Sequence, residues 1–147
     1  MQIVPAGPAD GADIKRLLEA SALTTDDLTR ELPGNFLVLR QGPDLMAVVG
    51  IEGAGPAALL RSLAVSEHLR GGGVGRQMVA SAEAMARRRG VISLYLLTTT
   101  AADYFLKLGY RNAPRGTAPA VIRSTPQFSW LCPASSSFMM KLLEPKR

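Results

Sequence analysis

Thiol and imidazole chemistry have little to work with in this chain, which carries one cysteine, Cys132, and one histidine, His68, among 147 residues. A lone cysteine excludes an intrachain disulfide and, within one subunit, a thiolate cluster for zinc; a reducing compartment suits it. His68 stands among charged residues in Ser66-Glu67-His68-Leu69-Arg70, the setting of a solvated loop. A Ser-His-Asp or Cys-His triad would need a histidine oriented by a third group, and no metal site is expected. Long apolar runs are missing too: none approaches the roughly 20 residues that span a bilayer. The opening Met1-Gln2-Ile3-Val4-Pro5 also lacks a basic segment followed by an apolar one. A cytoplasmic protein without a membrane partner is the expectation.

Nor is there a long block of like charge, although Lys and Arg number 17 against 12 Asp and Glu, a net charge of +5. The one basic triplet, Arg87-Arg88-Arg89, ends a helical pattern, where cations complement the helix dipole. A nucleic-acid binder would rest on net charge alone and show affinity falling steeply with salt, so no nucleic acid is expected as partner. A basic surface equally attracts a small phosphate-rich ligand.

The chain has the length of one domain, 1–147, with 47% apolar residues to build a core. Gln2 to Val4 reads as a short strand and Ala12 to Ala22 as a helix, with Ile14, Leu17, Leu18 and Leu23 at helical spacing. A second short helix is expected after Thr25 or Asp26, with Leu28 and Leu32 sharing a face and Pro33-Gly34 stopping it. Phe36 to Arg40, Leu45 to Glu52 and Ala57 to Val65 form a meander of strands. A strongly periodic helix follows from Val74 to Gly90, and Val91 to Thr98 is a continuous apolar strand suited to cover on both faces. Thr100 caps a last helix, Ala101 to Leu108, ended by Gly109, with Tyr110 opening the next strand. In the tail, Ala120 to Ser124 and Ser137 to Leu143 are strand candidates. The sum is an α/β (α+β) fold: a mixed sheet with helices on both faces.

Arg70-Gly71-Gly72-Gly73-Val74-Gly75 lies between a strand and a helix start. Glycines there free the backbone for positive φ and close approach, amide hydrogens turn inward, and the helix adds its positive end, so a phosphate or pyrophosphate is the natural guest. Arg70 and Arg76 flank it with mobile charge. A P-loop would need Gly-Lys-Ser/Thr, but Gly75 is followed by Arg76-Gln77; a dinucleotide fingerprint would need glycine where Arg76 or Met78 stands.

Leu63-Ala64-Val65, then Arg70-x-x-Gly73-x-Gly75 and an amphipathic helix, resemble the acetyl-CoA motif of the GNAT N-acetyltransferase superfamily. Tyr104-Phe105-Leu106-Lys107-Leu108-Gly109-Tyr110 is similar to its second signature, a helix running into Gly and an aromatic residue. The two motifs lie within residues 57 to 110. Leu59 to Val65, Tyr95 to Ala101 and the tail from Ala118 to Phe128 with Leu131 to Ser135 are most similar to a GNAT subgroup associated with arsenic resistance. The resemblance implies a GNAT-like acyl-CoA N-acyltransferase fold and an acetyl-CoA-dependent N-acetyltransferase acting on a small amine. It places Leu63, Ala64, Val65, Arg70, Gly71, Gly72, Gly73, Val74, Gly75, Arg76, Thr98 and Phe105 against coenzyme A. The Gly71 to Arg76 amides would take the pyrophosphate, and Leu63 to Val65 would pair with the pantetheine arm. A backbone amide near Val65 would donate to the thioester oxygen as it becomes an oxyanion.

The pattern departs at two catalytic positions. Where many members carry a glutamate that helps deprotonate the acceptor, four residues before Val65, this chain has Arg61, and a cation cannot be that base. Glu31, Glu52 and Asp103 are the carboxylates left for the role. Where many members carry a tyrosine as acid for the departing thiolate, this chain has Phe105. The remaining candidate is its neighbour Tyr104, roughly 100° away around the helix. Arg61 suggests an anionic, amino-acid-like acceptor held by bidentate hydrogen bonds, with a surface or sheet-edge salt bridge as the alternative. Cys132 offers arsenic a single thiolate, where soft elements favour several. A non-catalytic acyl-CoA-binding module is the second class these departures leave open. The irregular tail, with Phe128, Trp130, Leu131 and Phe138, offers an apolar contact for a homodimer.

Overall fold

A computed structural model describes residues 2–28, 32, 34–53 and 55–144. In chain order the strands are β1 (Ile3–Pro5), β2 (Asn35–Gln41), β3 (Asp44–Glu52), β4 (Ala57–Val65), β5 (Ser93–Thr98), β6 (Arg111–Asn112) and β7 (Ser137–Leu142). The α-helices are α1 (Gly11–Ala20), α2 (Val74–Arg88), α3 (Ala102–Lys107) and α4 (Ala120–Arg123). The strands form one sheet in the hydrogen-bonded order β1-β2-β3-β4-β5-β7-β6. The β4–β5 ladder is parallel and those of β1–β2, β2–β3, β5–β7 and β6–β7 are antiparallel, so the sheet is mixed. The chain divides into two compact units, Met1–Ile51 with Arg61–Ala82, and Glu52–Leu60 with Glu83–Arg147.

In the first unit, period-two alternation sends Phe36 and Val38 of β2 to one face, where they meet Val48, Ala64 and the fully buried Ile14 and Leu18 of α1. Full burial of such a side chain contributes roughly 1.5–3 kcal/mol. Leu39, of opposite parity, lines a groove with Val74, Gln77, Ala80 and Ser81 of α2. α1 and residues 74–82 of α2 therefore cover opposite sheet faces, as the sequence pattern implied.

Arg40 ties α1 to β2. Its Nη2 donates to Asp10 Oδ1 at 2.6 Å and to Asp13 Oδ2 at 2.9 Å, and Nη1 donates to the Pro43 carbonyl at 2.7 Å. Asp10 Oδ2 accepts from the Gly7 amide at 2.7 Å. These hydrogen bonds, the one from Arg40 first, hold the Asp10 carboxyl below its ordinary value of 3.8. A depressed carboxylate adds stability that is whole above its ordinary value and is lost as pH falls through the depressed one. The stability gap between wild type and Asp10→Asn, measured by urea unfolding, is thus expected to narrow once pH drops below 3.8.

In the second unit, Ala57, Leu59, Tyr95, Phe138 and Met140 form the sheet side of a core closed by Ala118 and Ile122. Tyr95 stacks on Phe138 with centroids 5.3 Å apart. Ile122 belongs to α4, so the strand expected over Ala120 to Ser124 is a short helix. Pro119 begins it, and its carbonyl accepts from the Ile122 and Arg123 amides, both at 3.0 Å; the β-branched pair Val121-Ile122 imitates a strand by composition alone. Pro126 likewise precedes a π-helical turn, Gln127–Leu131, rather than a break.

Two capping expectations are also corrected. Thr25–Leu28 is a turn, closed by the Leu28 amide on Thr25 O at 3.0 Å; residues 29–31 and 33, where the expected second helix would continue, lie outside those described. The α3 entry is held by Thr98, whose Oγ1 accepts from the Ala101 amide at 3.0 Å, and not by Thr100. Gly109 ends α3 as expected, at φ +96°.

Candidate active site

β4 is nine residues long, yet its parallel ladder covers only Ala57–Leu59 against Ser93–Tyr95. Further along, Ser62 sits at φ +57°, a left-handed conformation that costs a side-chain-bearing residue about 1–2 kcal/mol. Burial changes character there: Ala57 to Arg61 are buried without alternation, then Leu63 and Val65 are half-buried on either side of buried Ala64. The left-handed residue and the change in burial together mark a kink in β4, beyond which the side chains are aimed differently.

After Val65 the chain turns tightly. The Ser66 amide donates to Met46 O at 2.7 Å, Glu67–Leu69 form one 3-10 turn, and the Gly72 amide reaches Leu69 O at 3.4 Å. Arg70 Nε donates to the Val65 carbonyl at 3.1 Å, bracing strand against turn. Gly71 and Gly73 both adopt φ +84°, and a Cβ built on either meets nothing within 4 Å. They face open space in a conformation that only glycine adopts freely. The first inward hydrogen bond of α2 runs from Gln77 to Gly73 O at 3.1 Å. The amides of Val74, Gly75 and Arg76 precede it and have no carbonyl one turn back to bond. Outward amides, a helix dipole and the exposed cations Arg70 and Arg76 together make a site for a multiply charged anion.

Arg61 is where the structure departs most from expectation. Its side chain is 0% exposed, and Nη1 and Nη2 grip Asp27 Oδ2 and Oδ1 at 2.5 and 2.7 Å. The guanidinium is thus held in a buried ion pair on an interior strand, which is neither the acceptor contact nor the surface or sheet-edge salt bridge expected of it. Nothing in the sequence links Asp27 to a strand residue 34 positions later; loop-to-strand pairing leaves no periodic signal, and sequence reasoning missed this carboxylate.

The second unit holds the remaining candidates. Phe105 is buried, edge-on to Tyr104 and Tyr110 with centroids 5.3 and 5.6 Å away. It is a core residue, and the coenzyme contact expected of it has no exposed ring to use. Tyr104 is 39% exposed, in keeping with its different bearing on the helix. Thr98, half-buried at the end of β5, pairs with Ser137. Asp103 is exposed and Glu52 half-buried, whereas Glu31 lies outside the described residues. Tyr110 donates to Glu83 at 2.9 Å. Burial first, then the Glu83 charge, raises that phenol far above its usual value, so it stays protonated and is structural.

Among the described residues, no group of three or more His, Cys, Asp and Glu is placed to hold a metal ion, and no helix is long and apolar enough to cross a membrane. Of the tail aromatics, Phe138 is buried against Tyr95 and Phe128 and is not available for a subunit contact, whereas Trp130 is 65% exposed.

Residues 33–112 match the family model of the acetyltransferase (GNAT) domain. An uncharacterised N-acetyltransferase of Chlorobaculum tepidum is 37% identical over 65 residues, which span 44% of this chain and 41% of that relative. N-acetylglutamate synthase from Neisseria gonorrhoeae, crystallised with coenzyme A and L-arginine, superposes with TM-score 0.80 at 21% identity. The match takes in 97% of this chain and 33% of the synthase, so the chain spans about a third of that enzyme. A Mycobacterium tuberculosis protein in complex with CoA and NLQ superposes with TM-score 0.78 at 18% identity, covering 98% of this chain and 100% of the other. The shared architecture is the GNAT acyl-CoA N-acyltransferase fold.

Proposed function

Since the chain belongs to the GNAT acetyltransferase family, we propose that it transfers the acetyl group of acetyl-CoA to the amine of a small acceptor. The observation that carries this reading is the open turn at Gly71 and Gly73, both at φ +84°, leading into the unbonded amides of α2. That turn takes the pyrophosphate, through the Gly71 to Arg76 amides. Leu63, Ala64 and Val65 then run beside the pantetheine arm as a neighbouring strand would, and the Val65 amide donates to the thioester oxygen. A donor there acts mainly when that oxygen becomes negative in the tetrahedral state, and loss of one such donor typically costs roughly 2.7–4 kcal/mol of barrier.

The acceptor amine must lose a proton to attack. With Arg61 in the place of a base and paired to Asp27, the chemistry favours acceptors that supply a neutral amine or lose the proton through water. The coenzyme A thiol, with an ordinary pKa of about 8.5, leaves as thiolate near neutral pH without strong help. Tyr104, 39% exposed, is the phenol we assign to protonate it. The preference for an anionic acceptor loses its support with Arg61 enclosed. The link to arsenic resistance rests on sequence resemblance, and it adds amines bearing arsenic or phosphorus oxyacid groups to the panel worth testing.

Free-thiol release from acetyl-CoA across a panel of plain amines, amino acids and amino oxyacids tests the proposal. Acceptor-dependent release is expected with at least one class, with Tyr104→Phe lowering kcat more than it changes the KM for acetyl-CoA. A second reading, a regulatory module that binds acyl-CoA without turning it over, is favoured by Arg61 and Phe105 standing where base and acid are usual. Calorimetric binding of acetyl-CoA without thiol release from any amine would establish that reading instead.

A further inference from the structure

We infer that Asp27 and Arg61 are positioning residues whose ion pair holds the kink at Ser62 and thereby aims Leu63, Ala64 and Val65 at the thioester. The inference rests on the proposed function, in which β4 receives acyl-CoA beyond the end of its ladder with β5. Ser62 is one of two non-glycine residues at positive φ among those described, the other being Ala22 in the turn after α1. A residue held in a sparsely populated region persists where its surroundings over-determine it, and the surroundings of Ser62 are built outward from Arg61.

Arg61 Nε lies 3.1 Å from Ser62 Oγ, so the guanidinium grips the hydroxyl of the kinked residue itself. Its other two nitrogens are fixed by both oxygens of Asp27, whose side chain is 5% exposed. The guanidinium carbon stands 5.7 Å from the centre of the Phe36 ring. That ring in turn lies across Gly50, its partner in the β2–β3 ladder, where a Cβ would come within 2.8 Å of it. Gly50 makes room for Phe36, Phe36 supports Arg61, Asp27 fixes its rotation, and Arg61 holds Ser62.

A bidentate fork fixes orientation as well as charge, whereas a buried ion pair adds little net stability over an apolar pair of equal volume. Geometry is therefore the stronger account of this one. Three residues of extended chain reach about 10 Å, so a tilt of roughly 10° at Ser62 would move the Val65 amide by more than about 1 Å. Misplacement on that scale can cost about 10²-fold in rate.

The test uses [1-13C]acetyl-CoA bound to wild type, Arg61→Lys, Asp27→Asn and Ser62→Gly, with the thioester carbonyl stretch read by isotope-edited infrared spectroscopy and coenzyme A affinity by calorimetry. Ser62→Gly guards against misfolding, because glycine accepts the same φ and removes only the gripped hydroxyl. In wild type the bound carbonyl is expected at lower frequency than in free acetyl-CoA. In the variants it moves back toward the free value while the coenzyme A Kd changes less than about threefold, so that the contact at the carbonyl is lost and the binding kept. With any acceptor found in the amine panel, kcat falls roughly 10- to 100-fold at a steady KM for acetyl-CoA. An unshifted carbonyl in Ser62→Gly and Arg61→Lys overturns the inference, as does affinity lost in step with the shift. Failure of the wild type itself to bind coenzyme A would overturn the proposed function, a result seen before any variant is made.

Discussion

Gly73→Ala is expected to weaken coenzyme A binding roughly 10- to 100-fold, or about 1.4–2.8 kcal/mol. The residue sits at φ +84°, where an L side chain is strained whatever space surrounds it. Alanine there either bears about 1–2 kcal/mol of strain or relaxes toward negative φ. Relaxation rotates the peptide that carries the Val74 amide, so the donors of the α2 start no longer converge on one anion. The added methyl also projects into the open space a diphosphate would fill. Gly71→Ala, at the same φ, is expected to behave alike, whereas Gly116→Ala, with open space and no positive φ, leaves affinity unchanged. Calorimetric titration of the three variants checks this; equal affinity in Gly73→Ala and Gly116→Ala would remove the turn from the coenzyme site.

Glu83→Ala is expected to lower stability by about 3–5 kcal/mol, because it leaves a partly buried lysine without its counter-charge. Glu83 is 6% exposed and accepts from Lys141 Nζ at 3.1 Å through each carboxylate oxygen and from the Tyr110 hydroxyl at 2.9 Å. Lys141 also donates to the Leu108 carbonyl at 2.9 Å, closing the end of α3. Removing the carboxylate strands an ammonium and a phenol together. For a domain of this size each kcal/mol shifts the melting temperature by roughly 2–4 °C, so a fall of about 6–20 °C is the expected reading in a thermal melt. Changing Glu83 and Lys141 to Met together should restore part of the loss, since the two charges then leave as a pair. A double variant less stable than Glu83→Ala would mean the Leu108 bond outweighs the charge pair.

Much of this was legible in the chain because it is written in local patterns. The bounds Ala57–Val65 follow from flanking turn residues, the start of α2 from glycines giving way to three- and four-residue apolar spacing, and the end of α3 from Gly109. Each signal lies within a few residues of the element it specifies. Features that depend on distant partners were hidden. Arg61 read as a substrate contact because its strand position suggested a cleft, and only the fold brings Asp27 onto it. Phe105 and Tyr104 are neighbours in sequence, but the helix turns one into the core and the other outward. In the tail, Val121 and Ile122 have strand-like side chains on a helical backbone, and the prolines that begin such turns looked like interruptions.

The outermost strands of the sheet are its shortest, three residues in β1 and two in β6. A free margin of that length offers a foreign strand few hydrogen bonds, and Pro5 at the end of β1 has no N–H to give. At the other margin, Arg111 brings a charge that repels its own copy. Fibril-like stacking of one molecule onto the next is thereby discouraged at both rims, a property that favours handling at high concentration.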